Sequence, residues 1–407
     1  MPHNDHASSP TSGPIAADGK FPIDLTGPGS HVLVRERGVG RLVIGPAALG
    51  KKADLHVEPH ERIDWTVFDN FCTPAGSDWP RFLDYTGADT GFFEWARRRR
   101  IETMTWTAVL PGATTVDASQ ARIGRLIIRL GQAGEPLRIR LPARELESYF
   151  LLNLMGDLAR ITVEGDVPQT LMLTPGTGKT AHRSPYRLPD VGALRQVESL
   201  MLQNDPLAQP ISLECLADFP NLKSLALHGA FQGLGQLAAL TGLQGLALRF
   251  MPDLEGLPSL DAFPALDSII AYNVGEAAGK RLRQQIKARA AVRAWGGHAS
   301  VTQLRKPEWW EREYGRPFAA WPARLAKIAN TAYDDALAGL SQARDLALAQ
   351  AVFTAFTERF NTLKGIETPE RDDLGTAVLL LSRTPAATAL GVTEEQAQRW
   401  FDERRDY

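Results

Sequence analysis

At 407 residues the chain is too long for one compact core but ordinary for a repeat array joined to a second domain. Hydrophobic residues make up 44% and charged residues 23%, values of a folded chain that exclude disorder throughout. The formal net charge of −2 gives no global case for nucleic acid or an anionic membrane as partner.

The two cysteines, Cys72 and Cys215, offer neither a disulfide framework nor a metal-ligand spacing. Cys215 sits in LECLADF, where a small buried residue fits the surrounding pattern. The first twenty residues carry no positive region followed by an apolar one, and no run approaches 18 apolar residues. Neither a secretion signal nor a membrane span is therefore expected, and a cytoplasmic location follows by elimination.

Residues 1–20 hold one branched aliphatic, Ile15, and no aromatic, so a disordered tail is expected. Residues 21–120 form an irregular β-rich region or a cap on the repeats. The short runs HVLVRE, GRLVIG, ADLHVE and DWTVFD favour strands separated by Gly, Pro and Asp. The aromatics between Trp79 and Trp95 (Phe82, Tyr85, Phe92, Phe93) fit a buried cap better than an exposed patch.

From 121 to 303 one pattern recurs, most clearly in four places. Val197, Leu200 and Leu202 begin it; Leu222, Leu225 and Leu227, then Leu243, Leu246 and Leu248, then Leu266, Ile269 and Ala271 repeat it. The middle positions 200, 225, 246 and 269 lie 25, 21 and 23 residues apart, the period of a leucine-rich repeat. Ile123, Leu126 and Ile128, and Leu158, Ile161 and Val163, fit the same three points. The runs LRIRL (137–141) and TLMLT (170–174) are either hairpin mates of these or further coils. ARELESYFLLNLMGDL carries helical spacing through Leu146, Phe150, Leu154 and Leu158. The expected fold is an α/β solenoid of the leucine-rich-repeat type, with parallel strands and a small all-α carboxyl-terminal domain over 304–407. Leu282 and Ile286 place an amphipathic helix after the repeats. Four further helices follow from Trp321, and Thr393 with Gln396 makes a capping-box start for the last.

The series GEAAGKRLRQ, LRKPEWWEREYGRPFAAW and the terminal WFDERRDY resembles a group of bacterial repeat proteins. Those carry leucine-rich repeats, a junction with an LRKPEW core and a helical tail, and some are labelled gliding-motility proteins. The resemblance covers residues 190–407. It implies an intracellular bacterial interaction protein and carries over no catalytic residues.

Three strings invite chemistry. PGTGKT (175–180) follows a strand-like run as a phosphate-binding loop would. However, the required first glycine position is Leu173, and Pro185 and Pro189 break the helix that should receive the phosphates. His56 and His60 flank a proline, and on a strand they would lie about 13 Å apart at about 3.3 Å per residue, too far for one metal. Arg97–Arg100 form a four-arginine run, and the later Arg125, Arg129, Arg138 and Arg140 could share one strand-bearing face as a basic stripe; the plainer account is a solvated face. In the tail, AATALGVTEEQAQRWF has helix-turn-helix spacing, but Glu394 and Glu395 open the helix that would meet DNA. From Leu304 onward 14 Lys and Arg face 16 Asp and Glu.

The expected function is therefore non-catalytic display of a concave sheet to another protein. An inhibitor or immunity role is one form of it, with no cofactor and no metal. The alternatives are DNA binding through the tail and an enzyme site within the first 120 residues. Residues alternating with the core leucines face outward, and their last column is Gln203, His228, Arg249 and Tyr272. Those four, with Arg125 and Arg129, are the candidate partner-binding residues.

Overall fold

The computed structural model describes residues 14–178, 184–319 and 321–406. The chain forms two compact units, one ending at Leu304 and one beginning at Arg305.

In the first unit, twelve strands among the described residues make one sheet. They are β1 Arg41–Gly45, β2 Leu55–His56, β3 Phe82–Gly87, β4 Ile101–Ala108, β5 Ile123–Leu130 and β6 Leu151–Gly156. The series continues with β7 Thr170–Pro175, β8 Ser199–Gln203, β9 Ser224–His228, β10 Gly245–Met251, β11 Ser268–Gly275 and β12 Ala299–Arg305. β2 sits on the outer edge of β1 and β3 on its other edge; from β4 onward each strand is laid beside the one before it. The pairings from β2 through β11 are all parallel.

Parallel neighbours need a crossover, and short 3-10 turns supply most of it here. Leu213–Asp218 and Leu260–Ala262 start on Ser212 and Ser259, whose hydroxyls accept from the Glu214 and Asp261 amides. Between these returns and the sheet lies one continuous core, in which Leu200, Leu202, Leu225, Leu227, Leu246 and Leu248 are buried. A second parallel sheet of Thr114–Asp117, Leu137–Arg140 and Ile161–Glu164 closes the core opposite β5 and β6. α1 (Gly91–Trp95) buries Phe92, Phe93 and Trp95, while Phe82 stays exposed. α2 (Glu276–Val292) buries Leu282 and precedes β12. Cys215 packs against the core, and burial pushes its thiol up to about 12.

Several expectations need correction. ARELESYFLLNLMGDL is not a helix but contains β6, because Leu152 and Leu154 alternate with Asn153 between two paired strands. DWTVFD is a 3-10 turn, Trp65–Phe68, begun by Asp64 accepting from Thr66. TLMLT is β7 of the main sheet, whereas LRIR and Ile161–Glu164 belong to the second sheet. Of the expected tail, residues 1–13 lie outside the described residues. Ile15 bridges to Phe71, and Gly19–Ile23 pairs antiparallel with His31–Arg35.

The second unit is helical: α3 Pro307–Tyr314, α4 Ala323–Gln342, α5 Leu346–Glu358, α6 Thr368–Ser382, α7 Pro385–Ala389 and α8 Glu394–Arg404. Its core gathers Phe353, Phe356, Phe360, Leu381, Trp400 and Phe401. α8 starts with the capping box expected of Thr393 and Gln396. Among the described residues, no helix of either unit is long and apolar enough to cross a membrane.

Candidate functional site: the outward rows of the sheet

Alternation along each strand fixes which side chains leave the core. With Leu225 and Leu227 buried, Ser224, Ala226 and His228 face outward, and register extends this across the sheet. Gln203 pairs with His228, His228 with Arg249, and Arg249 with Tyr272. In the other direction Leu202 pairs with Leu173, which places Thr174 beside Gln203 one residue on. Thr174 pairs with Met155, Met155 with Arg129, and Arg129 with Thr107. Five of the six candidate residues therefore lie in one row. Arg125 lies on the same strand as Arg129, four residues back, opposite Leu151.

The basic stripe is smaller than the sequence suggested. Arg138 and Arg140 lie on the second sheet, where Arg138 pairs with Glu164 at 2.5 Å. Arg99 is 5% exposed, and its guanidinium donates to the carbonyls of Phe68, Phe71 and Trp79. Arg100 pairs with Glu147.

At the far end of the row the side chains make an aromatic group that alternation did not reveal. Phe250 takes φ +51 and interrupts the alternation between Arg249 and Met251. Its ring stacks on His228 at 4.6 Å and 16°, and meets Tyr272 edge-on at 5.7 Å. Asn273, opposite it on β11, is also left-handed, at φ +48, so both strands carry the same irregularity. Burial, reinforced by the neighbouring Arg249 charge, holds His228 below the usual imidazole value, with Asp205 opposing. A neutral ring suits the stack.

The row next to it, two residues earlier on each strand, runs Asp84, Thr105, Ile127, Asn153, Met172, Met201, Ala226, Ala247 and Ile270. From Ile127 onward it is apolar except for Asn153. Asn153 is only 7% exposed, yet its Oδ1 has no hydrogen-bond partner among the described residues. Neither does Thr174 Oγ1. Unsatisfied groups of this kind are uncommon in a folded interior.

PGTGKT does not make a phosphate cradle in its described part. Leu173 is buried inside β7, and the Gly178 amide donates to Gln209 Oε1 at 2.9 Å. Thr177 donates to Asn204 at 2.8 Å; Lys179 and Thr180 lie outside the described residues. His56 and His60 are exposed, and among the described residues no group of three or more His, Cys, Asp or Glu is placed to hold a metal. In the tail, Arg383 grips the Glu394 carboxylate at 2.7 and 3.2 Å. A wide cleft of about 620 Å³ beside it is lined by Glu394, Glu395, Asp402 and Glu403 with Arg399.

No family model, curated protein or solved structure matches this chain.

Proposed function

We propose that the first unit is a leucine-rich-repeat solenoid that binds another protein on its outward rows, without catalysis and within the cytoplasm. The observation that carries this reading is the single register row from Arg129 to Tyr272 beside an apolar row. Large exposed anchors, Arg249 and Tyr272 (38% exposed), stand next to small or flexible side chains. Arg and Tyr are the types most often found at the energetic centre of protein interfaces, and methionine suits a surface that adapts to its partner. The acidic cleft around α8 speaks against DNA at that helix. The buried guanidinium of Arg99 serves backbone carbonyls rather than a reaction. A photo-crosslinking residue placed at Ala226 or Ala247 should capture a partner in native cells, and one at Thr331 on the exposed side of α4 should not. Crosslinks from the tail position alone would sink the proposal.

A further inference from the structure

The outward rows of β1 and β3 through β11 contain one acidic residue, Asp84, and it is ion-paired with Arg41 on the neighbouring strand. Those two cancel. Arg125, Arg129 and Arg249 remain, three cations with no acid among the outward positions, on a protein whose formal net charge is −2. All three are exposed. Arg129 and Arg249 stand on the same row, five strand spacings apart, or about 24 Å at about 4.8 Å per spacing. Between them on that row lie Met155, Thr174, Gln203 and His228, and alongside it, two residues earlier on each strand, runs the row of Met172, Met201, Ala226 and Ala247.

Resting on the protein-binding reading above, we infer that the partner presents an acidic amphipathic helix laid across the strands. Its carboxylates meet Arg129 and Arg249, and its apolar stripe lies on the methionine and alanine row. At about 1.5 Å rise per residue, about 16 residues separate the two carboxylates. Arginine engages a carboxylate with two donors in one plane, which fixes the helix at both ends. A nucleic acid is the lesser fit. Its phosphates recur far more densely than two anchors about 24 Å apart, and the apolar row beside the anchors offers them no counter-charge.

The test is to pan a displayed library of random 20-residue peptides on the full chain and sequence the enriched clones. Two variants serve as controls, R129E/R249E for the charges and A226R/A247R for the apolar row; retained circular dichroism and melting temperature show that each is folded. Enriched peptides should carry acidic residues flanking an apolar stripe. Their affinity should fall tenfold or more in R129E/R249E and should weaken as salt is raised. Peptides that bind the full chain, fail on A226R/A247R, but carry no acidic bias would leave the surface standing and overturn the charge inference. Peptides indifferent to both variants, or no enrichment over bare support, would overturn the inference, and indifference to both would remove the surface with it. Retention of a 30-base-pair duplex that is lost in R129E/R249E would replace the acidic helix with nucleic acid.

Discussion

The two ends of the main sheet reach the same strand pairing by different means. From β8 to β11 each strand contributes interchangeable aliphatics, Leu200 and Leu202, Leu225 and Leu227, Leu246 and Leu248, Ile269 and Ala271. From β1 to β4 the returns are irregular, that between β2 and β3 being the longest, and an aromatic cluster fills the space. Trp65 packs against Tyr85 at 5.4 Å, Phe92 at 5.6 Å and Trp95 at 6.0 Å, and Phe92 meets Trp106 at 5.6 Å. The long return between β2 and β3 also buries carbonyls that no sheet neighbour satisfies. Arg99 answers three of them, and Arg35 answers those of Ile15 and Cys72 at 2.7 and 2.8 Å while lying over Trp79 at 4.6 Å. At the regular end, among the described residues, only the last return uses an arginine in this way, where Arg289 donates to the carbonyls of Leu260, Phe263 and Leu266. Wherever a return leaves carbonyls unstacked, a side chain must reach across it.

That contrast predicts its own largest effect. Arg99→Leu takes the arginine donor from the Trp79 carbonyl, at about 1–3 kcal/mol, and removes one of two donors from the Phe68 and Phe71 carbonyls, which keep the Phe71 and Trp79 amides, at about 1 kcal/mol each. Chemical denaturation should show a loss of about 4 kcal/mol, whereas exposed Arg98→Leu should cost under about 0.5 kcal/mol. Equal effects of the two would erase the distinction. Next comes Leu225→Ala, expected to cost about 3 kcal/mol as a buried-leucine truncation. Because repeats support only their neighbours, amide exchange should quicken in β8 to β10 and stay unchanged in β3 and β4. Uniform quickening would mean that the two ends form one cooperative body.

Smaller effects belong to the surface. Arg249→Ala and Tyr272→Ala should each weaken a partner by about 1 kcal/mol or more without lowering the melting temperature. Unchanged affinity in the double variant would move binding away from this end of the row. The smallest effect is a titration. By NMR, His228 should titrate below its ordinary 6.5, and Arg249→Ala should raise the midpoint by removing one of its causes. Because the folded value is the lower one, the contribution of His228 to stability is present above 6.5. It is lost as pH falls through the folded midpoint. A midpoint that does not respond to Arg249→Ala would leave burial as the whole cause.

The same contrast explains what could be read from residues alone. The three-point spacing located β5 and β8 to β11, and the alternation it implies put Gln203, His228, Arg249 and Tyr272 in one register row. Regularity makes local pattern and global pairing agree. Elsewhere they part. Leu146, Phe150, Leu154 and Leu158 fall four apart by coincidence, while pairing of Leu152 and Leu154 with β5 and β7 decides for strand. Ile161–Glu164 has the repeat spacing but joins the second sheet, since a short apolar run does not encode which neighbour it will meet. Phe250 escaped because a left-handed residue inverts the side chain that alternation assigns. An arginine, aromatic and methionine triplet (Arg249, Phe250, Met251), in place of a strict alternation, was its one visible trace. Arg129 was read apart from the Tyr272 column because five strands of unknown order lay between them.

Since each strand from β5 to β11 is laid beside its predecessor, the row works as a scale whose graduations are whole repeats. Insertion of one more 21- to 25-residue unit between Thr174 and Arg249 would leave every leucine in its core position. It would also carry Arg249 and Tyr272 about 4.8 Å farther from Arg129. Reach across the surface can therefore change by duplication alone, in fixed increments, without altering any residue that does the gripping.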